Sequence, residues 1–174
     1  MERREWNSFE KWSNTAEKKL PLLGGLYVDV ECLAYDYGMR PKDVLRQFLK
    51  LGLKCNKAIE RGTPRIFLVS KNDKDLLLVP EPKFPEKDNF DSIIQVPLIL
   101  YPKESKELNR IAKEKEINTG QVFDGFVELG LDFIDIMEDP NYKIVFRDEN
   151  GEDDCLIFLP TRNKQERKEA ETEK

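Results

Sequence analysis

The side chains of this chain that could do chemistry are carboxylates, amines and three thiols, because histidine is absent. Without an imidazole there is no Ser-His-Asp or Cys-His nucleophile and none of the usual zinc sites. Cys32, Cys55 and Cys155 are odd in number and share no metal-type spacing. They read as reduced core thiols of a cytoplasmic protein. Leu23-Gly-Gly-Leu26 is too short for a phosphate loop and lacks its lysine. Asp148-Glu-Asn-Gly-Glu-Asp-Asp154 resembles a calcium loop only superficially. It lacks the ligand spacing and closing glutamate of an EF-hand, so it reads as a hairpin turn. The expectation is a protein that is not an enzyme and uses no cofactor or metal.

The remaining charged groups lie on elements that occur twice. Arg40-Pro-Lys-Asp-Val-Leu-Arg-Gln-Phe-Leu-Lys-Leu-Gly-Leu-Lys-Cys55 superposes without a gap on Asn118-Thr-Gly-Gln-Val-Phe-Asp-Gly-Phe-Val-Glu-Leu-Gly-Leu-Asp-Phe133 after a shift of 78. Val44 falls on Val122, Phe48 on Phe126, and Leu51-Gly52-Leu53 on Leu129-Gly130-Leu131. The same shift carries Leu33 to Ile111, Ala34 to Ala112 and Ile66 to Ile144. A constant offset over some forty residues is an internal duplication. Two units of about 60 residues would each hold a marginal core, so each is expected to lean on its twin.

Read in order, residues 1–19 form an amphipathic helix, with Trp6, Phe9, Trp12, Ala16 and Leu20 recurring at three- and four-residue spacing, which either covers the core or binds a partner. Repeat unit 1 spans 20–80, a Pro-rich linker 81–93, repeat unit 2 94–160, and a charged tail 161–174. Each unit reads strand, short helix, long helix, hairpin. The strands Lys18–Leu23 and Gln95–Leu100 both hold an apolar-Pro-Leu-apolar core. Proline bars them from a central ladder, so they can pair only with each other. The short helices run from about Asp29 to Tyr37 and from about Lys103 to Glu116. The long ones start at Pro41 and after Asn118 or Thr119. Val44, Phe48, Leu51, Cys55 and Ile59 make one apolar stripe; Val122, Phe126, Leu129, Phe133 and Ile136 make the other. Asn150-Gly151 marks the second hairpin turn.

Strand, short helix, turn and longer helix is the ribbon-helix-helix order. The stretch Gln95–Ala112, then Ile117–Val122 and Glu128–Leu131, resembles the Arc/MetJ/CopG type of DNA-binding fold. Residues 94–138 carry the resemblance well and 18–60 more loosely. The fold class it implies is α+β, with two tandem strand-helix-helix-hairpin repeats forming a pseudo-twofold ribbon-helix-helix-like core. It further implies a small transcription regulator that lays its ribbon in the major groove of duplex DNA and holds backbone phosphates at the N-termini of its longer helices. On that reading Lys19 and Gln95 meet bases, while Arg40, Lys42, Thr119 and Gly120 hold phosphates. Pro21, Pro97 and Ile99 share the ribbon face with Lys19 and Gln95 and cannot hydrogen-bond to bases. The alternative is a protein-interaction or adaptor module that keeps the fold without reading DNA.

The polar faces of the twin helices carry opposite charge. The shift of 78 puts Arg46 on Asp124, Lys50 on Glu128, Lys54 on Asp132, Lys57 on Asp135 and Arg61 on Asp139. Like charges four apart cost a helix about 0.2–0.5 kcal/mol per pair, which an opposite stripe nearby would offset. The plain reading is two solvated faces. The sharper one is mutual recognition, within one chain or between chains. Net charge is −5 and 36% of residues are charged, so any nucleic-acid surface must be local. No apolar run approaches the roughly 20 residues of a membrane span, and the N-terminus lacks a signal-peptide core.

Overall fold

In the computed structural model, the described residues are 16–72, 74–84 and 92–154. The fold is α+β, with four helices and antiparallel sheets among those residues. Strand β1 (Ala16–Leu23) pairs antiparallel with β4 (Ile93–Leu100) as a two-stranded ribbon, Leu20 opposite Val96 and Lys19 opposite Pro97. Period-2 alternation turns Leu20, Leu22, Val96, Leu98 and Leu100 into the core. Proline has no N–H to give a ladder. Pro21 and Pro97 therefore occupy places where the amide would point away from the partner strand, along the two outer edges of the ribbon.

Helix α1 (Gly24–Tyr37) follows β1 directly, and α2 (Pro41–Arg61) follows after a short turn. Gly38 ends α1 with φ 63°, and Gly62 ends α2 with φ 72°. In the second half α3 (Pro102–Lys115) leads to α4 (Thr119–Met137). Here Glu116 takes the left-handed position, φ 55°, that Gly38 takes in the first half. Asn118 caps α4 by a reciprocal pair: its Oδ1 accepts the Gln121 N–H at 2.9 Å and Gln121 Oε1 accepts the Asn118 N–H at 3.1 Å. The expected apolar stripes are buried at Val44, Phe48, Leu51, Cys55, Val122, Phe126, Leu129 and Phe133. Ile59 and Ile136 depart from them: Ile59 lies in the last turn of α2 and is 45% exposed, and Ile136 is half-buried near the end of α4. Helix α4 is enclosed more fully than a single stripe requires, since Phe123, Val127 and Ile134 are buried as well.

Strands β2 (Arg65–Ser70) and β3 (Leu76–Leu78) make the first hairpin, and β5 (Tyr142–Arg147) and β6 (Asp153–Asp154) the second. The hairpins do not close their units separately. Strand β2 pairs with β5, Phe67 opposite Val145, in one four-stranded sheet of order β3-β2-β5-β6.

Four expectations need correction or restriction. The helix expected over 1–19 has given way to strand by Ala16, because β1 runs on to face Leu100; residues 1–15 lie outside the described residues. Helix α1 starts at Gly24 rather than near Asp29. The two glycines open the helix: the Gly24 N–H donates to Ser92 O at 2.7 Å, and a Cβ on Gly24 would lie 2.5 Å from Ser92 Oγ. The start of the linker is packed against α4: Phe84 lies 6.5 Å from the Phe126 ring centre, over Gly125. The end of repeat unit 2 from residue 155 and the tail 161–174 lie outside the described residues.

Candidate interaction surface

Alternation on the ribbon fixes its outward face as four facing pairs: Glu17 with Ile99, Lys19 with Pro97, Gln95 with Pro21, and Ile93 with Leu23. Lys19 and Gln95 are exposed, as are Ile93 at 50% and Ile99 at 53%. Pro21, Leu23 and Pro97 are half-buried. The face is therefore mostly apolar, with one cation, one anion and one amide. Glu17 and Ile93 join it because the ribbon extends beyond the expected strands Lys18–Leu23 and Gln95–Leu100, and Leu23 faces Ile93 there.

The two long-helix starts differ. At α2, Lys42 and Arg40 are exposed, and Arg40 is forked onto Asp43 at 2.9 and 3.2 Å. That hydrogen bond and the charge beside it push the guanidinium pKa up and direct it at its own helix. At α4, Gly120 is buried beneath Pro21, where a Cβ would lie 2.5 Å from the proline Cγ. Thr119 is half-buried. A cleft of about 100 Å³ remains between this helix start and Pro21–Leu23, and Asp124 lines it. A carboxylate one turn inside the helix opposes the positive end of the helix dipole, so this end is poorly suited to a phosphate.

The basic stripe finds its partners on α3 and β6. Arg46 forks onto Glu104 at 2.6 and 2.7 Å, and its guanidinium lies 5.1 Å from the Tyr101 ring centre. Lys54 Nζ reaches Asp154 at 2.8 Å and lies 5.6 Å from the Phe146 ring centre. Arg61 is near enough to Glu107 to help lower that carboxyl's pKa, although the Arg110 hydrogen bond is the main cause. Arg110 also reaches Glu60 at 2.8 Å and Glu114 at 2.7 Å. Lys50, Lys57 and Arg61 are exposed. Of the acidic stripe, Asp124 is buried and its Oδ1 accepts the Leu23 N–H at 3.0 Å. Glu128 is half-buried; burial and then Asp132 push its pKa up, against the pull of Lys83. Asp132, Asp135 and Asp139 are exposed.

The acidic turn is occupied by its own backbone. Asp148 Oδ1 accepts the amides of Asn150 and Glu152, both at 2.9 Å. An open cleft of about 660 Å³ lies between that turn and Lys54 and Lys57. Cys32 is exposed; Cys55 is buried, and burial pushes its thiol pKa up to about 12, so it is held as the unreactive thiol. Among the described residues no helix is long and apolar enough to cross a membrane.

Comparison with family models, with curated proteins and with solved structures finds no match to this chain.

Two positions that hold this surface together were not legible as such in the sequence. Glu104 sits in an ordinary helix-start pattern, and only the fold brings Arg46 to it. Asp124 was legible as one charge of a stripe, but its acceptor role depends on a backbone amide 101 residues away.

Proposed function

We propose that this chain is a single-chain, pseudo-twofold ribbon-helix-helix-like module that binds another protein and catalyses nothing. Three relationships support the twofold reading, all at the shift of 78. Lys19 faces its own counterpart Pro97 in the ribbon. Phe67 faces its counterpart Val145 in the second sheet. A Cβ on Gly52 would overlap the Phe126 ring, as a Cβ on its counterpart Gly130 would overlap the Phe48 ring.

The observation that carries the protein-binding reading is the outward ribbon face. Ile93, Ile99, Pro21, Pro97 and Leu23 supply surface that desolvates readily and offer no hydrogen bond to a base edge. Prolines on both outer edges keep a partner from adding a strand there, so the partner is expected to lie across the face. The exposed remainders of the charge stripes, Lys50, Lys57 and Arg61 on α2 and Asp132, Asp135 and Asp139 on α4, offer flanking contacts to another protein or to a second copy.

A transcription regulator is the second reading, favoured by the outward Lys19 and Gln95 and by the exposed Arg40 and Lys42. One titration separates the two: fluorescence anisotropy of a mixed-sequence duplex from low to physiological salt. The protein-binding reading expects no duplex binding even at low salt. Binding by the wild type that is lost, with its salt dependence, on replacing Lys19, Arg40 and Lys42 by Ala would overturn it in favour of the regulator.

A further inference from the structure

The residues Arg46 and Asp124 occupy corresponding positions on α2 and α4, and each reaches into the opposite half of the chain. Asp124 accepts the N–H of Leu23, the residue that opens α1. The corresponding residue of the second half is Tyr101, which opens α3, and its N–H donates to Glu104 Oε1 at 2.8 Å. Glu104 in turn accepts from both terminal nitrogens of the Arg46 guanidinium. Both short-helix starts therefore satisfy the same backbone amide with a carboxylate. In the first half the carboxylate comes from across the interface. In the second half it is local, and the group from across the interface is the cation that clamps it.

We infer that this crossed pair of helix caps makes each half accept only the other as partner and excludes like-with-like pairing between chains. The inference rests on the pairing of two related halves proposed above. Two first halves set together would bring Arg46 to Leu23 and to Leu26, the residue that corresponds to Glu104. A guanidinium would then face a backbone N–H, donor against donor, with no carboxylate between them. Two second halves would bring Asp124 against Glu104, two carboxylates in a site where Asp124 is 6% exposed and the Glu104 side chain 12%. Both mispairings leave polar groups desolvated and unsatisfied, so specificity comes from penalties on the wrong partner as well as from the right contacts. The arrangement keeps a duplicated chain folded on itself, rather than pairing through either half with another copy.

This makes a distinctive demand of a charge reversal. Were Arg46 and Asp124 partners of each other, Arg46→Asp with Asp124→Arg would restore the interaction. With crossed caps the same double reversal is the worst case for the single chain, because it sets the new carboxylate against Glu104 and the new guanidinium against the Leu23 amide. It suits like-with-like pairing: the carboxylate at 46 would cap Leu23 of a second copy, and the guanidinium at 124 would clamp that copy's Glu104.

The experiment places the double reversal in the full chain and measures mass by light scattering. A Lys19→Cys reporter is added, since position 19 faces position 97 in the native ribbon and would face its own copy in a like-with-like dimer. The expected result is a monomer becoming a dimer, with an interchain disulfide at the reporter that the reporter alone does not form. A monomer with an unchanged denaturation midpoint would overturn the inference. If the double reversal fails to fold, single variants decide. Asp124→Asn retains the acceptor oxygen and should hold the wild-type midpoint, whereas Asp124→Leu should lower the folded-to-unfolded ratio about 5–150-fold. Equal midpoints for these two would also overturn it. The pairing of the halves is read separately, by whether Lys19→Cys with Pro97→Cys forms an intrachain disulfide in the otherwise native chain. Absence of that disulfide would remove the frame itself, whatever happens at 46 and 124.

Discussion

Gly52 of α2 lies flat against the ring of Phe126 on α4, so close that a Cβ there would overlap the ring carbons. On an open helix, Gly→Ala adds about 1 kcal/mol of stability. Here the added methyl must displace a fully buried ring. Gly52→Ala is therefore expected to destabilise by about 1–3 kcal/mol, and Gly130→Ala likewise against Phe48. Gly25 has no heavy atom within 4 Å of its Cβ position, so Gly25→Ala should be neutral or stabilising. Urea midpoints of the three variants give the test. A stabilising Gly52→Ala would mean that the two helices do not approach as described.

Glu116 holds a left-handed backbone conformation where the first half uses Gly38. A side chain in that region costs about 1–2 kcal/mol, which glycine avoids. Glu116→Gly is expected to raise the urea midpoint, and Gly38→Ala to lower it. A fall in both would show that the Glu116 side chain supplies a contact worth more than the strain.

Glu128 gives the pH test. Its pKa is raised in the folded chain, chiefly by burial and next by Asp132. The folded state therefore binds this proton more tightly than the unfolded state does. The ionised group costs stability above the folded pKa, and the cost is relieved as pH falls through that pKa. Glu128→Gln should raise the denaturation midpoint at pH 7, and the gain should vanish below about pH 4, where the wild-type group is protonated in both states. A gain that persists unchanged into acid would trace to packing instead.

Pro21 and Pro97 block the outer edges of the ribbon. Replacing both by Val restores an N–H on each edge and leaves the inward row of leucines untouched. The expected outcome is concentration-dependent association, seen as rising mass by light scattering between micromolar and millimolar protein. A double variant that stays at the wild-type mass across that range would show that other features protect these edges.

Local pattern made much of this fold legible. The three- and four-residue spacing around Phe48 and Phe126, Pro41 at a helix start, Asn118 as a cap and the alternation around Leu20 and Val96 are short-range signals, and the elements follow them. What escaped was set by partners far along the chain. Gly24-Gly25 opens a helix only because the Ser92 carbonyl and Asp124 satisfy backbone amides there. The union of the hairpins depends on Phe67 meeting Val145, which no local window contains. The charge stripes were visible as patterns, but a stripe does not say whom it faces. Arg46 met Glu104 on a third helix.

The two sheets have a bearing on how the chain is made. Strand β1 finds no ladder until β4 exists, and β2 lacks one of its two neighbours until β5 exists. Leu20 is joined to Val96, and Phe67 to Val145. At a synthesis rate of 5–20 residues per second, the first half waits roughly 4–15 s for those strands. During that interval Leu20, Leu22, Phe48 and Ile66 have no second half to cover them. While the ribosome carries only the first half, those apolar groups stay open to water, and the buried core can close only once β4 and β5 have emerged.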